Sequence, residues 1–275
     1  MGLFTGRKNA MTRLPISVCL IAGNEAHRIR RALDSVAGWA GEIVIVLNED
    51  VADGTDKIAA EYGAKIFREP WKGFVGQKNS ATAKATLEWV LNLDADEEIS
   101  AGLGDELAGM FNGAASPAAC HGYEIPRCTL YCGRWIRHGD WYPDRTLRLW
   151  RRGHGTWGGV EPHAAIQLDG RAGRLHHDLL HYSMENLNHH LRKSAGYSDI
   201  FARQHSGRKV GVAEIWFRPW WRFVRGYIIR RGFLDGWQGY AVARLSSQEV
   251  FLRYVKIREA RQPAAGPPAP QGITR

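Results

Sequence analysis

Three short apolar runs constrain this chain most: "ISVCLIAG" (16–23), "GEIVIVLN" (41–48) and "WVLNLDAD" (89–96). Each is apolar and short, without sustained polar alternation, so each predicts a strand buried on both faces. Helix-like segments separate them: "EAHRIRRALDSVAGWA" (25–40) with Ile29, Leu33 and Val36 on one stripe, "TDKIAAEYG" (55–63), and "GQKNSATAKATLE" (76–88). Thr55 or Asp53 is the expected cap of the second helix and Gly63 its stop. A further short strand, "AKIFREP" (64–70), precedes the third helix. Strands alternating with helices imply βαβ units, hence an α/β fold on a mainly parallel sheet. Ligands of such sheets bind beyond the carboxyl ends of the strands. Here those ends carry Asn24-Glu25, then Asn48-Glu49-Asp50 with Asp53 close behind, then Asp94-Ala95-Asp96.

The last of these turns, "LDADEEIS" (93–100), packs four acids into five positions of a chain whose net charge is +9. Asp94 and Asp96 at a strand end present two carboxylates to one side of a turn. Hard cations such as Mg²⁺ or Mn²⁺ take carboxylate oxygens and complete their shells with water and substrate phosphates. A nucleotide-sugar needs such a cation on its diphosphate. Glu97 and Glu98 are expected to cap the following turn. The positive balance of the chain points to an anionic partner.

Beyond residue 120 the pattern changes twice. Residues 121–182 are β-like and rich in Gly, Trp and His, while 185–261 are helical, basic and aromatic. The stretch 216–261 holds ten basic residues against three acids, with Trp216, Trp220, Trp221, Phe223, Tyr227 and Trp237 interleaved among arginines. Such helices suit an anionic bilayer interface. Nucleic acid is the less favoured partner, because no binding motif accompanies the charge and the acidic strand ends repel a phosphate backbone. No run approaches the roughly 20 apolar residues of a membrane span. Four cysteines without paired spacing resemble neither a disulfide framework nor a zinc ribbon, which suits a reduced, cytosolic setting. The expected organisation is a polar arm (1–14), a catalytic domain (15–182), a helical C-terminal region (183–262) and a disordered tail (263–275). "FNGAASPAA" (111–119) reads as a surface loop.

Taken in order, "ISVCLIAGNEAHRIRRALDSV", "EIVIVLNEDVADGTDKIA", "WKGFVGQKNSATAKATLEWVLNLDADEEIS" and "YEIPRCTLYCGRWIRHGDWYPDRTLRLWRR" resemble the family 2 glycosyltransferases of GT-A fold. Within that family the chain is similar to bacterial lipopolysaccharide-core and related cell-envelope transferases. The resemblance implies inverting, metal-dependent transfer from a nucleoside-diphosphate sugar, UDP-linked, to an envelope glycan or lipid-linked acceptor. It also implies a cytoplasmic enzyme, peripheral on the cytosolic face of the inner membrane. By this likeness Asn24 and Glu25 lie by the nucleoside, Lys78 reaches towards the nucleotide, and Asp94 and Asp96 form the metal-binding D-x-D, with Asp96 the more direct ligand. Arg145 and Arg148 fall near the diphosphate or the acceptor.

Two departures from the family pattern leave alternatives open. "VLNEDVADGT" has Leu47-Asn48 where relatives carry an acid after the second strand, so Asn48, Asp50 or Asp53 takes that place. Inverting transfer needs a carboxylate to accept the acceptor's proton, yet His163 is followed by Ala164 where relatives often have an acid. Glu161 is the first candidate base, with Asp140 and Asp144 as alternatives. The missing acid sustains a second reading, a non-catalytic nucleotide-sugar or membrane-binding protein on the same fold. A nucleic-acid-binding protein is the third.

Overall fold

The computed structural model describes residues 13–112, 120–160, 163–184 and 186–261. Most of the expected N-terminal arm, most of the 111–119 loop and the C-terminal tail lie outside the described residues. The chain divides into two compact units: the chain up to Cys128 with Asp144–Ser183, and Thr129–Pro143 with the chain from Met184 onward.

The first unit opens with β1 (Leu14–Ala22), α1 (Ile29–Ala37), β2 (Ala40–Asn48), α2 (Thr55–Glu61), β3 (Lys65–Glu69), α3 (Gly73–Ala83) and β4 (Trp89–Asn92). Strands β3, β2, β1 and β4 pair in that order, all parallel. Their side chains alternate between two covered faces, which is why the sequence shows unbroken apolar runs. Ile16, Val18 and Leu20 of β1 join Ile43, Ile45 and Leu47 of β2 and Leu91 of β4 beneath Ile29, Leu33 and Val36 of α1. Cys19, Val44, Val46 and Val90 face the other way, against Ala81 of α3. Burial pushes the Cys19 thiol far up, with Glu42 adding to the shift, so it stays protonated and inert.

After β5 (Glu97–Ile99) and α4 (Ala101–Asn112) come β6 (Gly122–Tyr131), β7 (Arg134–Ile136) and β8 (Asp144–Arg151). β8 runs antiparallel to both β4 and β6, turning the parallel sheet into a mixed one. The hairpin of β9 (Gly155–Val160) and β10 (His163–Leu168) forms a separate two-stranded sheet. β11 (Ala172–Arg174) pairs parallel with β6, and β12 (Leu179–Met184) pairs antiparallel with β5.

Local differences from expectation have local causes. α1 starts at Ile29 because the Glu25 carbonyl accepts from both Arg28 N at 3.0 Å and Ile29 N at 2.9 Å, closing a turn first. α3 is shifted towards the N-terminus, running from Gly73 to Ala83. Glu97 and Glu98 do not cap the turn that follows them. They form β5, where Glu97 is buried and Glu98 accepts from the Tyr182 hydroxyl of β12 at 2.6 Å. Gly63 does end its helix, at a φ of +67° that favours glycine.

The second unit carries β7 and three helices, α5 (Leu187–Gln204), α6 (Val212–Val224) and α7 (Gly236–Glu259). Asn186 caps α5 by accepting from His189 N at 2.9 Å. A π-helical turn (Arg225–Ile229) and a 3-10 turn (Gly232–Asp235) link α6 to α7. Glycine permits this link: a Cβ on Gly239 would stand 1.9 Å from the Gly232 carbonyl oxygen.

Replacing Leu91, fully buried on the α1 face of the sheet, by Ala is expected to cost about 2–5 kcal/mol. Urea unfolding of the variant against the wild type measures this.

Candidate active site

The parallel order β2-β1-β4 brings the carboxyl ends of these strands to one edge, and with them three polar loops. Two are laced together by short side chains. Asp53 accepts from Thr55 N at 3.0 Å, from the Thr55 hydroxyl at 2.6 Å and from Ala26 N at 2.9 Å, and this holds its carboxyl below the usual range. Asn24 accepts from Ala52 N at 3.1 Å. Asp53 and Asn24 therefore shape the loops after β1 and β2, while Asp50 is exposed on the second of them. Asn48, the last residue of β2, accepts from the Gln77 amide at 3.4 Å. The Oε1 of the same buried Gln77 side chain has no hydrogen-bond partner among the described residues. Glu25 is paired with Arg28.

Asp94 is the centre of the third loop. Its Oδ1 receives Lys78 Nζ at 2.8 Å and the Asn92 amide at 3.3 Å, and its Oδ2 receives Arg148 Nη2 at 3.0 Å. Arg148 Nη2 also meets buried Glu97 at 2.6 Å, and Glu97 in turn accepts from Asp94 N at 3.0 Å. Arg127 stands 3.6 Å from Glu97 and donates through Nε to Asp144 at 2.9 Å. The turn that looked like an excess of negative charge is thus laid into cations from α3, β6 and β8. Burial would raise the Asp94 pKa, but the charges of Lys78 and Arg148 and the hydrogen bonds from Lys78 and Asn92 hold it well below the ordinary value.

Asp96 is placed differently. Its Oδ2 lies 3.5 Å from His181 Nε2 of β12 and 3.9 Å from Arg28 Nη1. Burial again opposes ionisation, yet the hydrogen bond and charge of His181 together with Arg28 lower its pKa, against the repulsion of Asp94. Among the described residues no group of three or more His, Cys, Asp or Glu is arranged to hold a metal. The Asp96 carboxylate nevertheless matches the one or two carboxylates through which such hard cations are held when phosphates and water fill the remaining positions.

Lys78 is itself fixed from two sides, its Nζ lying 4.5 Å from the centre of the Trp157 ring. The neighbouring Asn79 donates to the Trp157 carbonyl and accepts from Trp157 N, both at 2.9 Å, clamping β9 to α3. Arg145, by contrast, donates to the Leu175 carbonyl at 3.0 Å and does not join the Asp94 cluster.

Of the candidate bases, Glu161 lies outside the described residues. Asp144 is shared with Arg127. Asp140 belongs to the second unit, where Arg222, Arg225 and Arg230 crowd its buried carboxylate at 2.8, 3.0 and 3.3 Å. Sequence reasoning missed Glu97, Arg127, Asn79 and Trp157; His181, with His176 and His177, carries metal-ligating chemistry in the sequence, but nothing there ties it to the acidic turn.

A family model for glycosyl transferase family 2 matches residues 17–167. The chain is 30% identical over 255 residues to an uncharacterized glycosyltransferase of Rickettsia typhi, covering 89% of this chain and 87% of that protein. It is 28% identical over 264 residues to the lipopolysaccharide core biosynthesis glycosyltransferase LpsC of Rhizobium meliloti, covering 93% and 96% of the two chains. Among solved structures, the mannosyltransferase PcManGT of Pyrobaculum calidifontis, in complex with GDP-Man and Mn²⁺, superposes with a TM-score of 0.53 at 15% identity, covering 92% of this chain and 89% of that one. That likeness is one of fold.

Folded Asp94 and Asp96 titrate below their unfolded values, so their stabilisation is complete above about pH 4 and fades as pH falls through the folded values. Replacing Arg148 by Met is expected to cost about 3–5 kcal/mol at neutral pH, because it strands buried carboxylates. It should also flatten the acid limb of a urea-stability profile taken from pH 7 downward.

Proposed function

The chain belongs to glycosyl transferase family 2 and is a glycosyltransferase of GT-A fold; from that premise we propose that it moves a sugar from a nucleoside-diphosphate donor, UDP-linked, to a lipopolysaccharide-core or other envelope glycan or lipid acceptor, with inversion. One observation carries the reading: Lys78, Arg148, Asp94 and Asp96 meet where the parallel strands end. A diphosphate laid on that edge finds Lys78 as its cation, with the nucleoside over the loops of Asn24, Glu25 and Asn48. Arg148 acts one step back, fixing Asp94 so that Lys78 stays aimed. Asp94 is a strut in this reading, because both of its oxygens are already engaged. Asp96, with His181 beside it, is the residue that would hold Mg²⁺ or Mn²⁺. When bound, such a cation neutralises charge on the departing nucleoside diphosphate.

The acceptor oxygen forms its bond to the anomeric carbon as the bond from that carbon to the diphosphate oxygen breaks. A carboxylate takes the hydroxyl proton from the opposite face. We assign that role to Glu161, which follows β9 in the chain, since Asp140 and Asp144 both have carboxylates occupied by guanidinium groups. The likeness to LpsC supports an envelope acceptor. The basic, aromatic second unit supports work as a peripheral protein at an anionic membrane surface, on the cytosolic face of the inner membrane. No described helix is long and apolar enough to cross a membrane.

Calorimetric titration of UDP and GDP with and without Mn²⁺ tests donor and metal together. Asp96→Ala should weaken the Mn²⁺-dependent component by at least about 10–100-fold, the range that loss of even an outer partner costs; unchanged affinity removes Asp96 from the metal. Glu161→Gln should keep donor binding and lower turnover by about 10²–10⁴-fold. Turnover at the wild-type rate moves the base elsewhere.

A further inference from the structure

The second unit contains a groove of about 680 Å³ between α5, α6 and α7, lined by none of the strand-end residues. Phe217, Trp221 and Tyr254 supply apolar walls, and Arg218, Arg222, Arg225 and Arg253 project cations into it against one lining acid, Glu214. Glu214 is taken up by Arg208 and Arg218. Arg222 and Arg225 share the Asp140 carboxylate with Arg230, and Arg253 pairs with Glu249, so arginines outnumber the acids that serve them; Nε of Arg225 and Nε of Arg253 are buried with no acceptor among the described residues. Burial lowers the Arg222 pKa, Arg225 and Arg253 push the same way, and Asp140 and Glu249 do not restore it. Such a site is short of negative charge.

The exposed surface of residues 216–240 is equally one-sided. Trp216, Trp220 and Trp237 are 77%, 56% and 64% exposed, with Phe217, Ile228, Ile229 and Phe233 exposed as well. The exposed charges between residues 216 and 240 are arginines; the single acid, Asp235, is buried, where it accepts from His138 N at 2.8 Å. An apolar face with cations and no exposed acid fits the headgroup zone of an anionic bilayer.

We propose that the α5–α6–α7 groove binds the phosphate headgroup of an anionic lipid drawn from the bilayer, its phosphate meeting Arg218, Arg222, Arg225 and Arg253 and its upper acyl segment lying along Phe217 and Trp221. The site deepens the membrane reading above and rests on it. Arginine forks suit phosphate oxygens, and the aromatic walls separate a lipid phosphate from a free one.

The test uses the full chain and two probes: vesicles of phosphatidylcholine with or without phosphatidic acid, and monomeric dihexanoyl phosphatidic acid in solution. Wild-type protein should sediment only with the acidic vesicles and bind the soluble lipid saturably. R218Q/R253Q should weaken soluble-lipid binding by about tenfold or more. R231Q/R244Q, which removes the same charge outside the groove, should change it by less than about threefold. Unchanged helical circular dichroism and urea midpoints of both variants show that they fold. Failure of the wild type to sediment overturns the membrane reading, whatever the soluble lipid does. Sedimentation with equal effects of the two variants overturns the groove while leaving that reading intact. Inorganic phosphate binding as tightly as the soluble lipid overturns the lipid assignment.

Discussion

The buried guanidinium of Arg148 is the interaction on which the strand-end site depends. It bridges Asp94 and Glu97, and without it two carboxylates would face each other across a dry turn. Burial by itself would lower the pKa of Arg148, but Glu97, Asp94 and Asp96 together drive it up, so the charge is permanent. A fixed positive charge from β8 makes an acidic loop after β4 tolerable. The loop in turn can keep Asp96 ionised and Lys78 pointed without spending either on the fold.

The second unit follows a different principle. Its helices meet through small residues, with Gly239, Ala243, Ser246 and Ser247 forming a buried stripe of α7. Large aromatic side chains of α6 and its turns, Trp216, Phe217, Trp220 and Phe233 among them, are exposed. Glycine in the core and tryptophan on the surface invert the usual arrangement of a globular unit.

The parallel half of the sheet was legible because strands buried on both faces leave unbroken apolar runs, as in "GEIVIVLN". Polar residues directly after such runs then had to gather at one edge, which located Asn24, Asn48, Asp94 and Asp96 before any coordinate was known. The partners of those residues were not legible. Glu97 reads as one more acid in a charged turn, and only the long-range pairing of β5 with β12 buries it. Arg127, Arg148 and His181 come from 31 to 85 positions downstream of Asp96, on strands whose order no local pattern dictates. Asp140 had the right residue type for a base, but the arginines that enclose it lie more than 80 positions away in the sequence.

Asn79 has a mechanical meaning beyond its two hydrogen bonds. One amide grips both backbone atoms of Trp157, while the preceding residue of the helix is the lysine stacked on that same ring. Helix α3 and the β9–β10 hairpin therefore behave as a single lever. Asp94, Lys78 and Trp157 are thereby joined in series, so a change at the acidic turn is felt on β9 through a single lysine side chain.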